Sequence, residues 1–202
     1  MKVMVTGGAG FIGTNLIERL IKEGHTVVSL DNYDSGLEEN HIDSVKYINA
    51  DIETIEYIKG DDFDLCFHLA ALSRIQPSFE NPTDTFRVNV RGTEAVMEWA
   101  LHNNVKVVYA GSSSKWHDPT ISPYAMYKYL GEEVCKLYRK TFDVDVEICR
   151  FYNVYGPKEI VDGDWAAVIG IWRNQVNNNQ KITIVGDGEQ RRDFIHVEDL
   201  VD

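Results

Sequence analysis

A tyrosine and a lysine, Tyr124 and Lys128, lie four residues apart at the beginning of a segment with helical periodicity. Residues at this spacing share one face of a helix, so the phenol hydroxyl and the ammonium can point into one site. A free tyrosine has a pKa near ~10, and a neighbouring cation would stabilise the phenolate and lower that pKa. The pair therefore predicts a tyrosine that exchanges a proton with a substrate, although the same spacing also occurs on ordinary solvated helices.

A glycine-rich turn follows the first predicted strand and opens the first predicted helix, with glycines at Gly7, Gly10 and Gly13. Glycine allows a tight turn and a close approach to a pyrophosphate, while the helix N-terminus offers free N–H groups to the anion. Asp31 ends the second predicted strand, where its carboxylate can accept hydrogen bonds from an adenosine ribose and would repel a 2′-phosphate. These features predict a dinucleotide site that prefers NAD to NADP.

Short β-branched segments alternate with longer segments of helical period along the chain. Two of the predicted helices span 11–23 and, approximately, 82–103. Such alternation predicts an α/β doubly wound parallel sheet, the Rossmann fold, with ligands bound beyond the carboxyl ends of the strands. The predicted strands are Lys2–Thr6, Thr26–Leu30, Val45–Ile48, Asp64–His68, Lys106–Ala110 and Val144–Cys149.

The chain of 202 residues contains 32 acidic and 20 basic residues, which gives a formal net charge of -12. This charge repels nucleic-acid phosphates and anionic membrane surfaces, and there is no run of about 18 apolar residues, so neither partner is expected. The cysteines, Cys66, Cys135 and Cys149, are odd in number and far apart. We therefore expect no disulfide framework, no metal site and a reducing, cytoplasmic location.

Further motifs follow the glycine turn in a fixed order: Asp31-Asn32, Asp51-Ile52, His68-Leu69-Ala70-Ala71 and the segment 89–93. Over nearly the whole chain they resemble the extended short-chain dehydrogenase/reductase superfamily, and within it the NAD-dependent epimerase/dehydratase family. Taken singly, Asp51 could be a helix N-cap, His68 a buried core histidine, and Asn89 a residue whose side chain hydrogen-bonds to the backbone. The resemblance implies NAD as cofactor. The contacts that it implies are Gly7, Gly10, Phe11, Ile12, Gly13, Asp31, Asn32, Ser35, Gly36, Asp51, Ile52, Leu69, Ala70, Ala71, Asn89, Tyr124, Lys128 and Tyr152.

The same resemblance implies a catalytic set of Ser112, Tyr124 and Lys128, with Ser113 as the fallback for the serine. Two later segments, 150–157 and 184–197, resemble motifs of enzymes that act on nucleotide sugars. The implied substrate contacts are Arg74, Asn153 and Arg192. A planar, permanently charged guanidinium at Arg192 suits a diphosphate, whereas the neighbouring Arg191 is interpreted as solvated.

The segment after Ser112 departs from the family pattern. Dehydratases and decarboxylases of the family usually carry an acid about two residues after the catalytic serine or threonine, whereas here Ser113, Ser114 and Lys115 follow. The interval to Tyr124 is also roughly half of the usual one, so part of the loop that frames the sugar is missing. The resemblance then implies a UDP-sugar 4-epimerase that acts through a transient 4-keto sugar. The alternatives are another dehydratase or reductase of the family and a catalytically inert NAD-binding regulator.

We expect two parts in the chain: an NAD-binding Rossmann domain at 1–152 and the beginning of a nucleotide-sugar-binding domain at 153–202. The resemblance implies a homodimer through the helices that contain Asn89 and Tyr124. Members of the family usually continue for about a hundred residues more, so the second part is expected to be incomplete. The chain alone is therefore expected to hold NAD but to be a poor enzyme.

Overall fold

A six-stranded parallel sheet forms the centre of the protein in a computed structural model that describes residues 1–59 and 62–202. Its strands are β1 (Lys2–Thr6), β2 (Thr26–Asp31), β3 (Lys46–Asn49), β4 (Leu65–His68), β5 (Lys106–Ser112) and β6 (Val146–Phe151). Their order across the sheet is β3-β2-β1-β4-β5-β6, and every neighbouring pair is parallel. The predicted doubly wound sheet is confirmed.

Helices connect the strands and cover both faces of the sheet. They are α1 (Phe11–Lys22), α2 (Ile75–Glu80), α3 (Pro82–Phe86), α4 (Gly92–Asn103), α5 (Pro123–Phe142), α6 (Val168–Asn177) and α7 (Val197–Val201). A π-helical turn at Arg87–Arg91 joins α3 to α4, so the predicted helix near 82–103 is present with one irregular turn. Asp143 ends α5 in a left-handed conformation, with φ of 58°, and β6 therefore begins two residues later than predicted.

Two separate apolar layers enclose the sheet. On one face Met97 of α4 and Cys135 of α5 are fully buried and pack in the same cluster as Val107 of β5. On the other face Ile17 of α1 packs with Val5 of β1. Because the central strands are buried on both faces, their sequences are continuously apolar rather than alternating.

The ligand-binding end of the sheet follows from its topology. β1 lies between β2 and β4, so the connections that leave β1 and β4 run to opposite sides of the sheet. Crevices beyond the carboxyl ends of the strands at such a reversal bind ligands in open α/β sheets. The glycine turn after β1 and the serines after β5 both lie at this end.

A second, two-stranded parallel sheet follows the first, formed by β7 (Asn153–Tyr155) and β8 (Phe194–His196). The chain between α6 and β8 is exposed at every residue from 178 to 193. The last helix, α7, returns to α1, where Asp202 lies 2.8 Å from Arg19. Strands of three residues leave too short a pattern to be predicted from sequence.

The turn between β1 and α1 requires glycine at two positions for different reasons. Gly7 has φ of 73°, and a Cβ atom there would lie 2.8 Å from the backbone nitrogen of Ala70. At Gly13 a Cβ atom would lie 2.2 Å from the carbonyl oxygen of Gly7. At Gly10 the nearest atom would be 3.3 Å away. The first turn of α1 can therefore pack directly on the preceding loop.

We predict that Gly13→Ala lowers the free energy of unfolding by about 2 kcal/mol, because the added methyl group must displace backbone atoms in a close-packed turn. Gly10→Ala is the matched control and should change this free energy by less than about 1 kcal/mol. Urea unfolding followed by circular dichroism measures both. Equal stability of the Gly13→Ala variant and the wild type would contradict the packing argument.

Candidate active site

One cleft of about 1130 Å³ opens at the carboxyl end of the large sheet. Pockets for one drug-sized ligand are roughly 300–1,000 Å³, so this cleft has room for a cofactor and a substrate together. Most of the residues singled out from the sequence meet here. Those that line the cleft are Gly7, Gly10, Phe11, Ile12, Gly13, Asp31, Asn32, Ser35, Ile52, Leu69, Ala70, Ala71, Arg74, Ser112, Tyr124, Lys128, Tyr152, Asn153 and Arg192.

Three predicted cofactor residues do not line the cleft: Gly36, Asp51 and Asn89. The buried amide of Asn89 accepts a hydrogen bond from the backbone nitrogen of Leu72 at 2.8 Å and donates one to its carbonyl oxygen at 2.9 Å. Asp51 forms an ion pair with Arg87 at 2.9 Å, and Gly36 packs against the carboxylate that ends β2. The side chains of Asn89 and Asp51 thus have partners within the protein, and the contacts of all three residues with NAD stay predictions.

Asp31 occupies the position expected of a ribose-binding carboxylate. It is buried at the end of β2, accepts a hydrogen bond from the backbone nitrogen of Ala9 at 2.9 Å and accepts another from that of Tyr33 at 2.9 Å. Each carboxylate oxygen retains a further lone pair for a hydroxyl donor. The glycine turn, the start of α1 and this carboxylate together fit a dinucleotide without a 2′-phosphate.

The three predicted catalytic side chains meet on one wall of the cleft. The Tyr124 hydroxyl donates a hydrogen bond to Oγ of Ser112 at 3.4 Å, and Oγ of Ser114 lies 2.9 Å from the same atom. Lys128 Nζ is buried and donates to the carbonyl oxygen of Ala110 at 2.6 Å. The side chain of Ser112 therefore stands directly beside the phenol, as the resemblance implied for the catalytic serine.

Burial controls the electrostatics of this wall. It lowers the pKa of Lys128 to about 8, and it raises the pKa of Tyr124 above its usual value although Ser112 and Arg74 oppose that shift. The expected lowering of the tyrosine pKa also depends on the positive charge of bound NAD⁺ and stays a prediction. Burial, followed by the charge of Lys128, lowers the pKa of His68 to about 3, so this histidine is neutral.

The predicted substrate contacts also line the cleft. Arg74 donates from Nε to the carbonyl oxygen of Trp165 at 2.8 Å. The side-chain amide of Asn153 donates to the carbonyl oxygen of Asp193 at 2.8 Å, and thereby links β7 to the segment before β8. Arg192 is exposed, and its Nη1 donates only to a neighbouring backbone carbonyl. Its guanidinium remains available to an anionic ligand.

A buried glutamate that the sequence analysis did not single out ties the catalytic segments together. Glu132 of α5 is 1% exposed and accepts two hydrogen bonds from Arg150 of β6, at 2.9 and 2.8 Å. Lys136 lies 2.8 Å away, and Lys115 of the short loop lies 3.7 Å away. The Glu132–Lys136 spacing is visible in the sequence as a helical ion pair. The pairing with Arg150 depends on the fold and has no such local signal.

Other kinds of site are not apparent in the part of the chain that the structure describes. That part contains no group of three or more His, Cys, Asp or Glu side chains that could hold a metal ion. None of its helices is long and apolar enough to cross a membrane. The three cysteines are free thiols, and only Cys149 is exposed.

The parallel sheet, the glycine turn and the serine, tyrosine and lysine in one cleft define a Rossmann-fold protein of the short-chain dehydrogenase type. Sequence comparison agrees, since the profile of the NAD dependent epimerase/dehydratase family matches residues 3–202. The chain therefore belongs to the NAD dependent epimerase/dehydratase family. The expectation that NAD is its cofactor is confirmed at the level of this family.

Relatives within the family carry out more than one reaction. The chain is 34% identical to a UDP-glucose 4-epimerase of Mycolicibacterium smegmatis, over 100% of its own length and 71% of that protein. It is 30% identical to a UDP-N-acetyl-alpha-D-glucosaminuronate decarboxylase of Bacillus cytotoxicus, over 100% of its own length and 69% of that protein. Among solved structures, a UDP-glucose 4-epimerase of Thermotoga maritima with UDP-glucose superposes with a TM-score of 0.93 at 29% identity. The match covers 100% of this chain and 71% of that one.

The position of Asp31 predicts that NAD binds at least about ten-fold more tightly than NADP, a difference of about 1.4 kcal/mol, because a 2′-phosphate would face a buried carboxylate. Asp31→Asn should reduce this preference, whereas Asp43→Asn, the same change on the surface, should preserve it. Calorimetric titration with both cofactors measures the ratio. Equal affinities in the wild type would contradict the assignment of Asp31.

Proposed function

We propose that the protein is an NAD-dependent nucleotide-sugar 4-epimerase that acts on a UDP-sugar through a transient 4-keto sugar. The observation that carries the proposal is the contact of Tyr124 with Ser112 in the cleft, followed in sequence by Ser113, Ser114 and Lys115 rather than by an acid. An acid at that place would be needed to protonate a leaving hydroxyl. Reversible oxidation of a secondary hydroxyl needs only the groups that are present.

In the proposed mechanism the oxygen of Tyr124 takes the proton of the C4 hydroxyl and later returns it. Ser112 orients the same hydroxyl, because its Oγ already lies within hydrogen-bond distance of the phenol. Lys128 is fixed through Ala110, and because its pKa is about 8 its ammonium stays mostly charged at neutral pH. Bound NAD supplies hydride transfer. Arg74 adds positive charge that opposes the effect of burial on the pKa of Tyr124.

Several features support a UDP-sugar as the substrate. The residues proposed to contact it, Arg74, Asn153 and Arg192, line the same cleft as the catalytic wall. The Mycolicibacterium smegmatis and Thermotoga maritima relatives are UDP-glucose 4-epimerases. The decarboxylase relative supports a second candidate reaction of the same family, and a binder without catalysis is the third. The intact contact of Tyr124 with Ser112 favours an enzyme over a binder.

The functions of the two parts of the chain and its oligomeric state are also proposals. Residues 1–152 would hold NAD, and residues 153–202 would contribute to the nucleotide-sugar side. A homodimer through the helices near Asn89 and Tyr124 is supported by exposed apolar side chains at Phe86 of α3 and at Leu137 and Phe142 of α5. The free thiols support a reducing, cytoplasmic location.

We predict that Tyr124→Phe removes more than about 90% of epimerase turnover, a rise of at least about 1.4 kcal/mol in the barrier, because the proton acceptor is lost. NAD affinity should change little. Tyr127→Phe, three residues along α5, is the matched control and should leave turnover unchanged. A Tyr124→Phe variant that kept more than about a tenth of the wild-type rate would show that another group is the principal base.

The reaction class is tested with UDP-glucose and the NAD-loaded protein. We expect proton NMR to detect the C4 epimer, without accumulation of NADH at 340 nm and without loss of water or carbon dioxide. UDP-glucuronate serves as the second substrate, because a decarboxylase would release carbon dioxide from it. A stable 4-keto-6-deoxy product or a pentose product would contradict the epimerase proposal.

A further inference from the structure

The ammonium of Lys128 is a buried charge with few polar partners. The residue is 6% exposed, and its Nζ donates a hydrogen bond to the carbonyl oxygen of Ala110 at 2.6 Å. Within residues 1–59 and 62–202 no carboxylate forms an ion pair with this ammonium. A buried charge that lacks a paired partner is strongly unfavourable. The charged form of Lys128 therefore depends on other stabilising contacts.

The ring of Tyr109 lies directly against this ammonium. Tyr109 precedes Ala110 in β5 and is 1% exposed, and Nζ of Lys128 lies 4.6 Å from the centroid of its ring. The face of an aromatic ring carries partial negative charge, and it attracts a cation within about 6 Å of the centroid, most strongly where both groups are desolvated. Strand β5 thus offers the ammonium both a carbonyl oxygen and an aromatic face.

The other titratable groups around Lys128 do not replace this contact. Glu132, one turn further along α5, favours the charged form, but its carboxylate is already bound by two other basic side chains. Cys135 keeps its proton at neutral pH, because burial raises the pKa of its thiol to about 12. His68 of β4 is neutral, and its ring centroid lies 5.6 Å from that of Tyr109. The aromatic face is therefore the uncommitted source of negative potential beside the ammonium.

We propose that the ring of Tyr109 stabilises the Lys128 ammonium through a cation–π interaction and holds it on the catalytic wall. Tyr109 is a positioning residue, because it acts on the reaction through Lys128. Its consequence for catalysis rests on the function proposed above, in which a charged lysine favours the phenolate of Tyr124. The interaction between the ring and the ammonium does not depend on that function.

An NMR titration of the full chain with isotope-labelled lysine side chains measures this charge directly, and Lys128→Met identifies the resonance. The pKa of Lys128 in the wild type should be about 8. Tyr109→Leu should shift the protonation equilibrium about ten-fold toward the uncharged amine, a pKa lower by about one, because the aromatic face is lost. Tyr109→Phe retains the ring and should keep this equilibrium within about two-fold of the wild type.

The direction of the change distinguishes this role from packing alone. A loosened site would admit water, relieve burial and raise the pKa of Lys128, so a raised or unchanged pKa in Tyr109→Leu overturns the proposal. If that variant does not fold, replacement of Tyr109 by pentafluorophenylalanine decides, because it retains the ring and reverses the charge distribution of its face. The pKa of Lys128 should then fall, and an unchanged value overturns the proposal.

Turnover of UDP-glucose by the NAD-loaded protein separates the inference from the function. Turnover should fall as the pH rises through the pKa of Lys128, and in Tyr109→Leu this fall should begin about one pH unit lower. Tyr109→Phe should restore the wild-type profile. A profile that does not move although the NMR titration does overturns the catalytic consequence. Absence of turnover in the wild type overturns the proposed function, and the NMR titration then decides the role of Tyr109 by itself.

Discussion

Glu132 is a residue of α5 with a buried carboxylate. This carboxylate accepts two hydrogen bonds from Arg150 of β6 and forms an ion pair with Lys136. Burial would raise its pKa, but these partners hold the pKa at about 2, so the charge persists at any physiological pH. A buried charge that loses its partner is unfavourable by about 3–5 kcal/mol, which keeps Arg150 in place. Tyr152 lies two residues after Arg150, and Tyr124 belongs to the same helix as Glu132. The pairing therefore fixes the end of β6 relative to the catalytic wall.

The short loop after β5 depends on the same cluster. Lys115 lies 3.0 Å from Glu133 and 3.7 Å from Glu132, so the residues directly after Ser112–Ser114 are attached to α5. Trp116 stacks its ring 5.3 Å from the guanidinium of Arg150. These contacts attach the short segment after Ser112 to α5 and β6, and so help to hold Ser112 beside the phenol.

Motif spacing predicted the sheet and most of the cleft, because residues just after parallel strands necessarily meet at one edge. It was less informative about what each residue does there. Asn89 belongs to a recognisable motif, yet the motif did not indicate that its amide hydrogen-bonds to both backbone groups of Leu72. Glu132 was not predicted because its significance lies in its burial and in its pairing with Arg150, which is distant in sequence. The spacing of Tyr124 and Lys128 likewise gave no sign that burial raises the pKa of Tyr124 in the protein by itself.

The π-helical turn at Arg87–Arg91 couples the number of residues between α3 and α4 to the geometry of the cleft. Such a turn holds one more residue than an α-helical turn and rotates everything after it by about 100° relative to the preceding helix. Deleting one residue there would rotate Asn89 away from Leu72. The loop that follows β4 would then lose the two hydrogen bonds that Asn89 makes to it. A single codon lost between α3 and α4 would therefore alter the cofactor cleft, which Val88 of this turn lines.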